Sequence, residues 1–437
     1  MRLLRTSEAQ FEARFARLVD DRRESDSDVG GIVRDILDAV RRRGDAAVAE
    51  YTLRFDKHAP ADEAGWRIAA ADCAAAFAAL EPGLRAALEL AAGRIRAYHA
   101  DQLPADRDYT DAAGVRLGAR WLPVDAAGLY VPGGRASYPS SLLMNAIPAK
   151  VAGVGRLVVV TPTPHGEVNP LVLAAAHLAG VDEMWRIGGA QAVAALAYGT
   201  DRIKPVDVVT GPGNAYVAEA KRQLYGVVGI DMVAGPSEIL VIADNKNDPD
   251  WIAADLLSQA EHDPLAQSIL ITDDEAFAMQ VADRVDVQCA ELATAESARC
   301  SWDDHGTIII VDDLAEAVPL ANRLAAEHVE LAVDDPAALF AGLRHAGSVF
   351  LGRLTPEAVG DYIAGPNHVL PTGRRARFSS GLSVLDFMKR TSFISLDRAA
   401  LGAIGPAAIA LAHAEGLPAH AKSVELRLLD AQPRPAV

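Results

Sequence analysis

Two polar residues near the middle of the sequence have the types and spacing of a metal-binding pair. Gln259 and His262 lie in ADLLSQAEHDP, residues 254–264. Asp248 and Pro249, shortly before, favour a helix start. Residues three apart share one face of a helix, so an amide oxygen and an imidazole nitrogen would reach the same ion. The alternative is that both side chains only cap an exposed helix end, because glutamine is an uncommon zinc ligand.

Asp361 and His420 extend this candidate set, although each also has a plain structural explanation. Asp361 lies in GDYIAGPNHVLPTG, a Gly/Pro-rich segment where a surface turn aspartate is ordinary. His420 follows Glu415 near the chain end, where an exposed histidine is equally ordinary. A carboxylate, two imidazoles and an amide oxygen nevertheless form a ligand set that suits zinc.

Glu327 and His328 are adjacent in AAEHVEL, where a helical pattern gives way to a strand pattern. An imidazole with an ordinary pKa of about 6.5 is a competent general base, and a neighbouring carboxylate can activate water. The alternative is a histidine at a helix end, stabilised by the helix dipole. Glu330 is expected to face solvent or to orient a partner, and His368 to be structural.

The elements that must position these residues follow from alternating strand and helix patterns. Residues 156–244 alternate apolar strands with helices, which predicts a parallel sheet covered on both faces. Glycines stand near the strand ends in Gly188-Gly189, Gly211-Pro212-Gly213 and Gly235-Pro236. Ligands of such sheets bind at the carboxyl ends of the strands. The GxGxxG fingerprint is absent, so NAD binding is not readable from a motif, and each glycine group alone is typical of a tight turn.

The whole pattern predicts an α/β fold with two Rossmann-like parallel-sheet domains, a helical N-terminal arm and a helical C-terminal tail. Gly133 and Gly134 are expected to form a ligand loop before a helix, and 268–352 to form the second sheet. The expected divisions are an arm at 1–25, a discontinuous domain with the metal and base residues at 26–129 and 239–380, an NAD-contacting domain at 130–238, and a tail at 381–437.

Composition excludes several classes of function. The 437 residues include 59 acidic and 42 basic ones, a net charge of −17, which argues against nucleic-acid binding. No apolar run is long enough to span a bilayer, so a cytoplasmic protein is expected. Cys73, Cys289 and Cys300 show no CxxC spacing and are expected to be buried apolar residues.

Several separate stretches resemble one family, the histidinol dehydrogenases, which are zinc- and NAD-dependent enzymes of histidine biosynthesis. No diagnostic motif falls in about the first hundred residues. The matching stretches are GLYVPGG from Gly128, GGAQAVAALAYGT from Gly188, GPGNAYV from Gly211, IDMVAGPSEILVIAD from Ile230, DLLSQAEHDP from Asp255, EHVEL from Glu327, DYIAGPNHVLPT from Asp361 and HAEGLPAH from His413.

The resemblance implies a role for each candidate residue. Gln259, His262, Asp361 and His420 would hold one zinc ion per active site. Together with these ligands, Ser237, His328 and Glu415 would line the substrate pocket. Tyr130, Gln191 and Asn214 would contact NAD. The family likeness also implies a homodimer in which Glu415 and His420, on the C-terminal segment, complete the active site of the partner subunit.

The implied reaction is the four-electron oxidation of histidinol to histidine through histidinal, with two NAD. His328 is expected to be the base, and Glu327 to activate the water that hydrates the aldehyde. No matching stretch contains cysteine, which disfavours a thiohemiacetal intermediate. Three alternatives stay open: a related zinc- and NAD-dependent dehydrogenase of another small alcohol such as a sulfonated diol, a zinc hydrolase that needs no NAD, and a non-catalytic binding protein.

Overall fold

The computed structural model describes residues 1–21, 29–62, 64–133, 139–233 and 235–429. Of the predicted glycine loop, Gly134 lies outside the described residues. The strands are, in chain order, β1 (Arg2–Arg5), β2 (Arg67–Ile68), β3 (Arg107–Thr110), β4 (Arg116–Pro123), β5 (Ala126–Tyr130), β6 (Arg156–Val160), β7 (Glu183–Trp185), β8 (Val208–Thr210), β9 (Gly229–Ile230), β10 (Glu238–Ala243), β11 (Gln267–Thr272), β12 (Thr307–Ile310), β13 (His328–Ala332), β14 (Ser348–Leu351) and β15 (Met388–Ser395).

Helices alternate with the strands along most of the described chain. They are α1 (Phe11–Asp20), α2 (Val29–Arg43), α3 (Asp45–Asp56), α4 (Ala70–Ala78), α5 (Pro82–Ala100), α6 (Pro139–Ala152), α7 (Pro170–Ala179), α8 (Gly189–Tyr198), α9 (Ala215–Leu224), α10 (Pro249–Ala260), α11 (Glu275–Glu291), α12 (Ala295–His305), α13 (Ala317–Leu324), α14 (Pro336–Phe340), α15 (Glu357–Tyr362), α16 (Arg398–Ala414) and α17 (Pro418–Leu429). None of these helices has both the length and the apolar character that a membrane crossing requires.

Two six-stranded sheets form the larger of two compact units, which comprises residues 1–102 and 124–387. The first sheet has the strand order β2-β7-β6-β5-β8-β9, and the second has the order β1-β12-β11-β10-β13-β14. Neighbouring strands are parallel, except that β2 runs antiparallel to β7. The predicted α/β class with two parallel sheets is therefore confirmed.

The helices of residues 29–56 belong to the first sheet. Val33, Val40 and Val48 share one buried core with Val158 of β6 and Val193 of α8. The expected grouping of 26–129 with 239–380 is therefore wrong for α2 and α3. Sequence order suggested that grouping, whereas burial is decided by which apolar faces meet in three dimensions.

The N-terminal segment, expected to be a helical arm, contributes a strand to the second sheet. β1 pairs in parallel with β12, with Leu3 opposite Ile308, and α1 follows it. Leu4 and Phe15 are buried in the core on one face of this sheet. The other face is covered by α10, α11 and α12, which bury Leu256, Val281 and Trp302.

The smaller unit comprises residues 103–123 and 388–437, described to residue 429. Its strands form an antiparallel sheet in the order β15-β4-β3, beside a hairpin of α16 and α17. Gly405 allows the two helices to approach closely, since a Cβ there would lie 3.1 Å from Val424. The predicted C-terminal tail thus contains a strand as well as helices, and it shares its unit with 103–123.

Candidate active site

A cavity of about 710 Å³ in the larger unit is lined by residues of both sheets. The first sheet contributes the carboxyl ends of its strands, including Asn214 in the loop after β8. The second sheet contributes the amino ends, with Ser237 just before β10 and His328 at the start of β13. Gly188, Gly189, Gly211 and Gly213 follow strands of the first sheet as expected, whereas Gly235 lies just before β10 of the second sheet.

Gln259 and His262 line this cavity together. Asp248 caps α10 by accepting the Asp250 N–H, and Pro249 is the first helical residue, as predicted. The helix ends at Ala260, so His262 lies in the following turn, where its N–H donates to the Gln259 carbonyl at 3.2 Å. The predicted single helical face is therefore wrong at His262, but the turn still brings both side chains to one wall.

His328 is 3% exposed and has a defined tautomer. Its Nδ1 lies 3.1 Å from the Glu238 carbonyl oxygen, which only accepts hydrogen bonds, so Nδ1 carries a proton and donates it. The Nε2 atom has no hydrogen-bond partner among the described residues and lies 3.6 Å from Asp361 Oδ1. The neutral ring therefore keeps a lone pair on Nε2, as a proton acceptor needs.

Glu327 precedes β13, where the helix-to-strand junction was predicted, and is 6% exposed. Its Oε2 accepts the Glu238 N–H at 3.0 Å and lies 3.8 Å from His328 Nδ1. Burial raises the pKa of Glu327 to about 8, against the opposing effect of His328. A carboxylate with its pKa near neutrality is suited to proton transfer.

Glu357 at the start of α15 is the main site residue that the sequence analysis missed. It is 2% exposed, and its Oε1 lies 3.5 Å from His328 Nδ1 while its Oε2 accepts the Ser258 hydroxyl at 2.9 Å. Ligand atoms of His328, Glu357 and Asp361 lie within 4.8 Å of one another. Glu330 is buried, so its expected exposure is wrong, and its Oε1 accepts the Glu357 N–H at 2.6 Å.

The three carboxylates around His328 control its charge. Burial lowers the pKa of His328, but Glu357, Glu327 and Asp361 together raise it to about 10. Burial raises the pKa of Glu357 to about 7. Burial also opposes ionisation of Asp361, yet His328, His368 and His262 lower the pKa of that carboxyl below its ordinary value.

His368, expected to be structural, contacts the Asp361 backbone. Its Nδ1 donates to the Asp361 carbonyl at 2.9 Å, and its Nε2 accepts the Ser141 hydroxyl at 3.3 Å. Burial lowers the pKa of His368. His368 also lines the cavity, a position that its place between Asn367 and Val369 in a proline-rich loop did not indicate.

Gln259, His262 and Asp361 are of residue types that can bind zinc, and all three line one cavity. Gln259 is 1% exposed, and its Oε1 has no hydrogen-bond partner among the described residues. An orphaned buried carbonyl oxygen is costly unless a cation or a water completes it. His262 and Asp361, which interact electrostatically, line the same cavity. Three of the four predicted zinc ligands therefore line one cavity, and one of them, Gln259, has an unsatisfied side-chain oxygen.

Comparisons with known proteins identify the family. The family model described as histidinol dehydrogenase matches residues 19–428. The chain is 63% identical to the histidinol dehydrogenase of Zymomonas mobilis, over 97% of this chain and 99% of that one, and 62% identical to that of Rhodospirillum rubrum, over 97% and 98%. The chain belongs to the histidinol dehydrogenase family.

A solved structure agrees with this family membership. The crystal structure of histidinol dehydrogenase from Elizabethkingia anophelis covers 98% of this chain with 98% of its own length, at a TM-score of 0.92 and 34% identity. The two-sheet architecture is therefore the family fold, and members of this family are oxidoreductases.

The three expected NAD contacts of this histidinol dehydrogenase family member lie at the first sheet. Tyr130 ends β5 and its hydroxyl accepts the Gly189 N–H at 3.0 Å, while burial raises its pKa to about 12. Gln191 in α8 is fully buried, and neither of its amide atoms has a partner among the described residues. Asn214 is exposed and caps α9 by accepting the N–H groups of Tyr216 and Val217. Of these three, only Asn214 lines the cavity.

Glu415 and His420 belong to the smaller unit. Glu415 follows the last residue of α16, and His420 lies in the first turn of α17. Both side chains are exposed. The role that the family resemblance implies for them, in the site of the partner subunit, remains a prediction.

Proposed function

We propose that this chain oxidises histidinol to histidine in two successive NAD-dependent steps at the cavity between the sheets. The observation that carries this proposal is the buried His328 ring, whose Nδ1 lies 3.1 Å from the Glu238 carbonyl oxygen and whose Nε2 lies 3.6 Å from Asp361 Oδ1. Gln259, whose Oε1 has no hydrogen-bond partner among the described residues, lines the same cavity. NAD-dependent oxidation of an alcohol requires a positioned base and a dinucleotide site. His328 and the strand ends of the first sheet can supply these, and the side chains of Gln259, His262 and Asp361 can bind a metal ion that orients the substrate.

His328 and Glu327 supply the acid–base chemistry in this proposal. In the first step, His328 Nε2 accepts the hydroxyl proton while the carbinol carbon loses a hydride to nicotinamide, which gives the aldehyde and NADH. In the second step, Glu327 takes a proton from the water that adds to the aldehyde, and His328 returns its proton to the former carbonyl oxygen, which gives the hydrate. His328 then accepts a hydroxyl proton of the hydrate while the carbon loses a second hydride to a second NAD, which gives the acid and a second NADH. The hydrogen bond from Nδ1 to the Glu238 carbonyl keeps Nε2 available in both steps.

Gln259, His262 and Asp361, with His420 of the partner subunit, would hold one zinc ion. When bound, zinc would orient the substrate through its nitrogen atoms and add positive charge beside the carboxylates. Positive charge near Asp361 lowers the pKa of His328 from the about 10 that its acidic neighbours alone produce. The base can then be neutral near neutral pH.

Substrate and cofactor contacts complete the proposal. Ser237, which lines the cavity, and Glu415 of the partner subunit would bind the polar groups of histidinol. Tyr130, Gln191 and Asn214 would bind NAD. The unsatisfied amide of Gln191 supports this assignment, because a buried amide without partners is costly unless a ligand or water pairs with it.

The test combines zinc analysis with NADH formation from histidinol, in the wild type and in the variants His328→Asn and His262→Asn. We expect two NADH per histidine from the wild type. His328→Asn should retain zinc and lose turnover, because it removes only the base. His262→Asn should lose both, because it removes a ligand.

Two results would contradict this assignment. Loss of zinc in both variants would remove the separation between base and ligand. Turnover of other small alcohols without any turnover of histidinol would point to a related dehydrogenase, and activity without NAD would point to a hydrolase.

A further inference from the structure

A buried ion pair, Lys221–Asp231, joins the cofactor side of the cavity to its substrate side. Lys221 is on α9 and Asp231 follows β9, and both line the cavity. We propose that this pair is a positioning device that holds the loop of Asn214 and the chain directly after β9, at Met232, in one fixed arrangement. The inference rests on the proposed binding of NAD by Asn214.

The pair is almost completely removed from solvent. The side chain of Lys221 is 3% exposed and that of Asp231 is 1% exposed. Two buried charges are retained at a large desolvation cost, which only good geometry and further hydrogen bonds offset. Such a pair is suited to fixing a conformation more than to adding stability.

Both members of the pair bind the backbone of Gly211, the residue directly after β8. Lys221 Nζ donates to the Gly211 carbonyl at 3.0 Å, and Asp231 Oδ2 accepts the Gly211 N–H at 2.8 Å. The peptide groups on both sides of this residue are therefore fixed by one ion pair. Gly211 itself has φ +108°, and a Cβ there would lie 2.2 Å from the Tyr130 carbonyl oxygen, so the loop passes directly over the end of β5.

The loop that this pair fixes carries Asn214. Gly213 packs against α9, where an added Cβ would lie 2.4 Å from Val217, and Asn214 then caps that helix. Lys221 lies in the last turn of α9, and its bond to the Gly211 carbonyl ties the start of the loop to the helix that follows the loop. The loop is therefore held at both of its ends. Rotation of the loop would break the contacts of Lys221 and Asp231 with Gly211 together.

Asp231 also fixes the start of the chain that leads to the second sheet. Its Oδ1 accepts the Met232 N–H at 2.6 Å, which fixes the start of the segment that leaves β9, the edge strand of the first sheet. This segment continues to Ser237 and enters the second sheet at β10. One carboxylate thus bonds the loop of the first sheet and the chain that crosses to the second. Hydride transfer needs donor and acceptor groups held within a narrow distance, so this joint would set the relative position of nicotinamide and substrate.

The test uses Lys221→Met, which keeps the length of the side chain and removes its charge. We expect the KM for NAD and the dissociation constant of NAD measured by calorimetry to rise on the order of tenfold, and kcat to fall by about tenfold or more. The zinc content should stay at the wild-type value, because no zinc ligand is touched. The KM for histidinol should rise less than the KM for NAD, because Lys221 bonds the loop of Asn214 directly and reaches the substrate side only through Asp231. Asp231→Asn, which preserves shape, should give the same pattern and replaces Lys221→Met if that variant does not fold.

Arg156→Met is the matched control. Arg156 and Glu183 form a partly buried ion pair, with side chains 23% and 20% exposed. Both residues lie at the amino ends of their strands, β6 and β7, whereas the cavity is at the carboxyl ends of the same sheet. Arg156→Met should lower stability without separating the two KM values. The proposal is overturned if Lys221→Met leaves both KM values unchanged, or changes them in parallel as the control does. A wild-type enzyme that fails to reduce NAD with histidinol would instead refute the proposed function.

Discussion

The imidazole of His328 is surrounded by more buried acid than one histidine can balance. Glu327, Glu357 and Asp361 each approach its ring nitrogens within 3.8 Å. Burial raises the pKa of Glu327 to about 8 and that of Glu357 to about 7, so the two carboxyls resist ionisation together. Clusters of this kind are common where a protein binds a cation or transfers protons.

Glu357→Gln tests how far one carboxylate sets the basicity of His328. Glu357 raises the pKa of His328, so its neutralisation should lower that pKa. The base then stays unprotonated at lower pH, and the acid limb of the pH dependence of kcat/KM should move down by roughly one unit. Glu183→Gln, which removes a partly buried carboxylate at the amino end of β7, is the control and should leave the limb in place.

Among the helices, α5 contains a histidine that is buried away from the cavity. His99 is fully buried, its Nδ1 donates to the Ile95 carbonyl at 2.8 Å, and its Nε2 accepts from the Asn367 amide at 3.4 Å. This bond to Asn367 ties α5 to the loop that carries His368. The loop beside the site therefore packs against the buried His99 ring.

His99→Gln should make stability less dependent on pH. Burial lowers the pKa of His99, so below the unfolded value of about 6.5 the unfolded chain binds a proton that the folded chain does not. Wild-type stability is therefore complete above that pH and decreases as the pH falls. Urea unfolding at pH 7 and pH 5 measures the difference. His177→Gln, an exposed histidine on α7, should retain the full wild-type dependence.

The cap of α9 allows the two roles of Asn214 to be separated. Its side-chain oxygen caps the helix, and an aspartate in its place would still accept those two N–H groups. Asn214→Asp should keep the thermal stability but raise the KM for NAD on the order of tenfold, because the amide donor is lost. Asn214→Ala should show the same KM change and also lose about 1 kcal/mol of stability. Equal KM values in Asn214→Asp and the wild type would exclude a cofactor contact.

At the element level, the sequence predicts what local chemistry encodes. The start of α10 at Asp248 and Pro249 and the junction before His328 were predictable, because caps and periodicity act over a few residues. The end of α10 before His262 was not, since the stop signal in the sequence, Pro264, stands four residues after Ala260. Glu357 was missed because α15 is six residues long and shows no periodicity that would mark its buried face.

At the scale of the whole molecule, the predicted dimer with shared active sites can be tested with mixed subunits. If Glu415 and His420 serve the site of a partner subunit, a dimer of His328→Asn and His420→Asn subunits has one intact site. Random pairing after co-expression or refolding should restore about a quarter of wild-type activity, although each variant alone is inactive. Activity that stays at the level of the single variants would show that each chain builds its own site.

Long-range pairing is what the sequence analysis handled least well. β1 is a four-residue strand whose partner is far away in the chain. α2 and α3 join a sheet whose parallel strands begin only at β5. The hydrophobic periodicity of a short stretch of sequence identifies a helix or a strand, but it does not specify which other helix or strand packs against it. The two parallel sheets were predictable because strand and helix alternate regularly inside each of them.

The pairing of Leu3 with Ile308 also has a consequence for synthesis. At about 5–20 residues per second, a ribosome needs roughly a quarter of a minute to one minute to make the β12 partner after β1 has emerged. During this time Leu4 and Phe15, which end in the core, have no native partner from the second sheet to cover them. The nascent N-terminal segment should therefore be a binding site for chaperones, whereas the strands of the first sheet can pair before translation is complete.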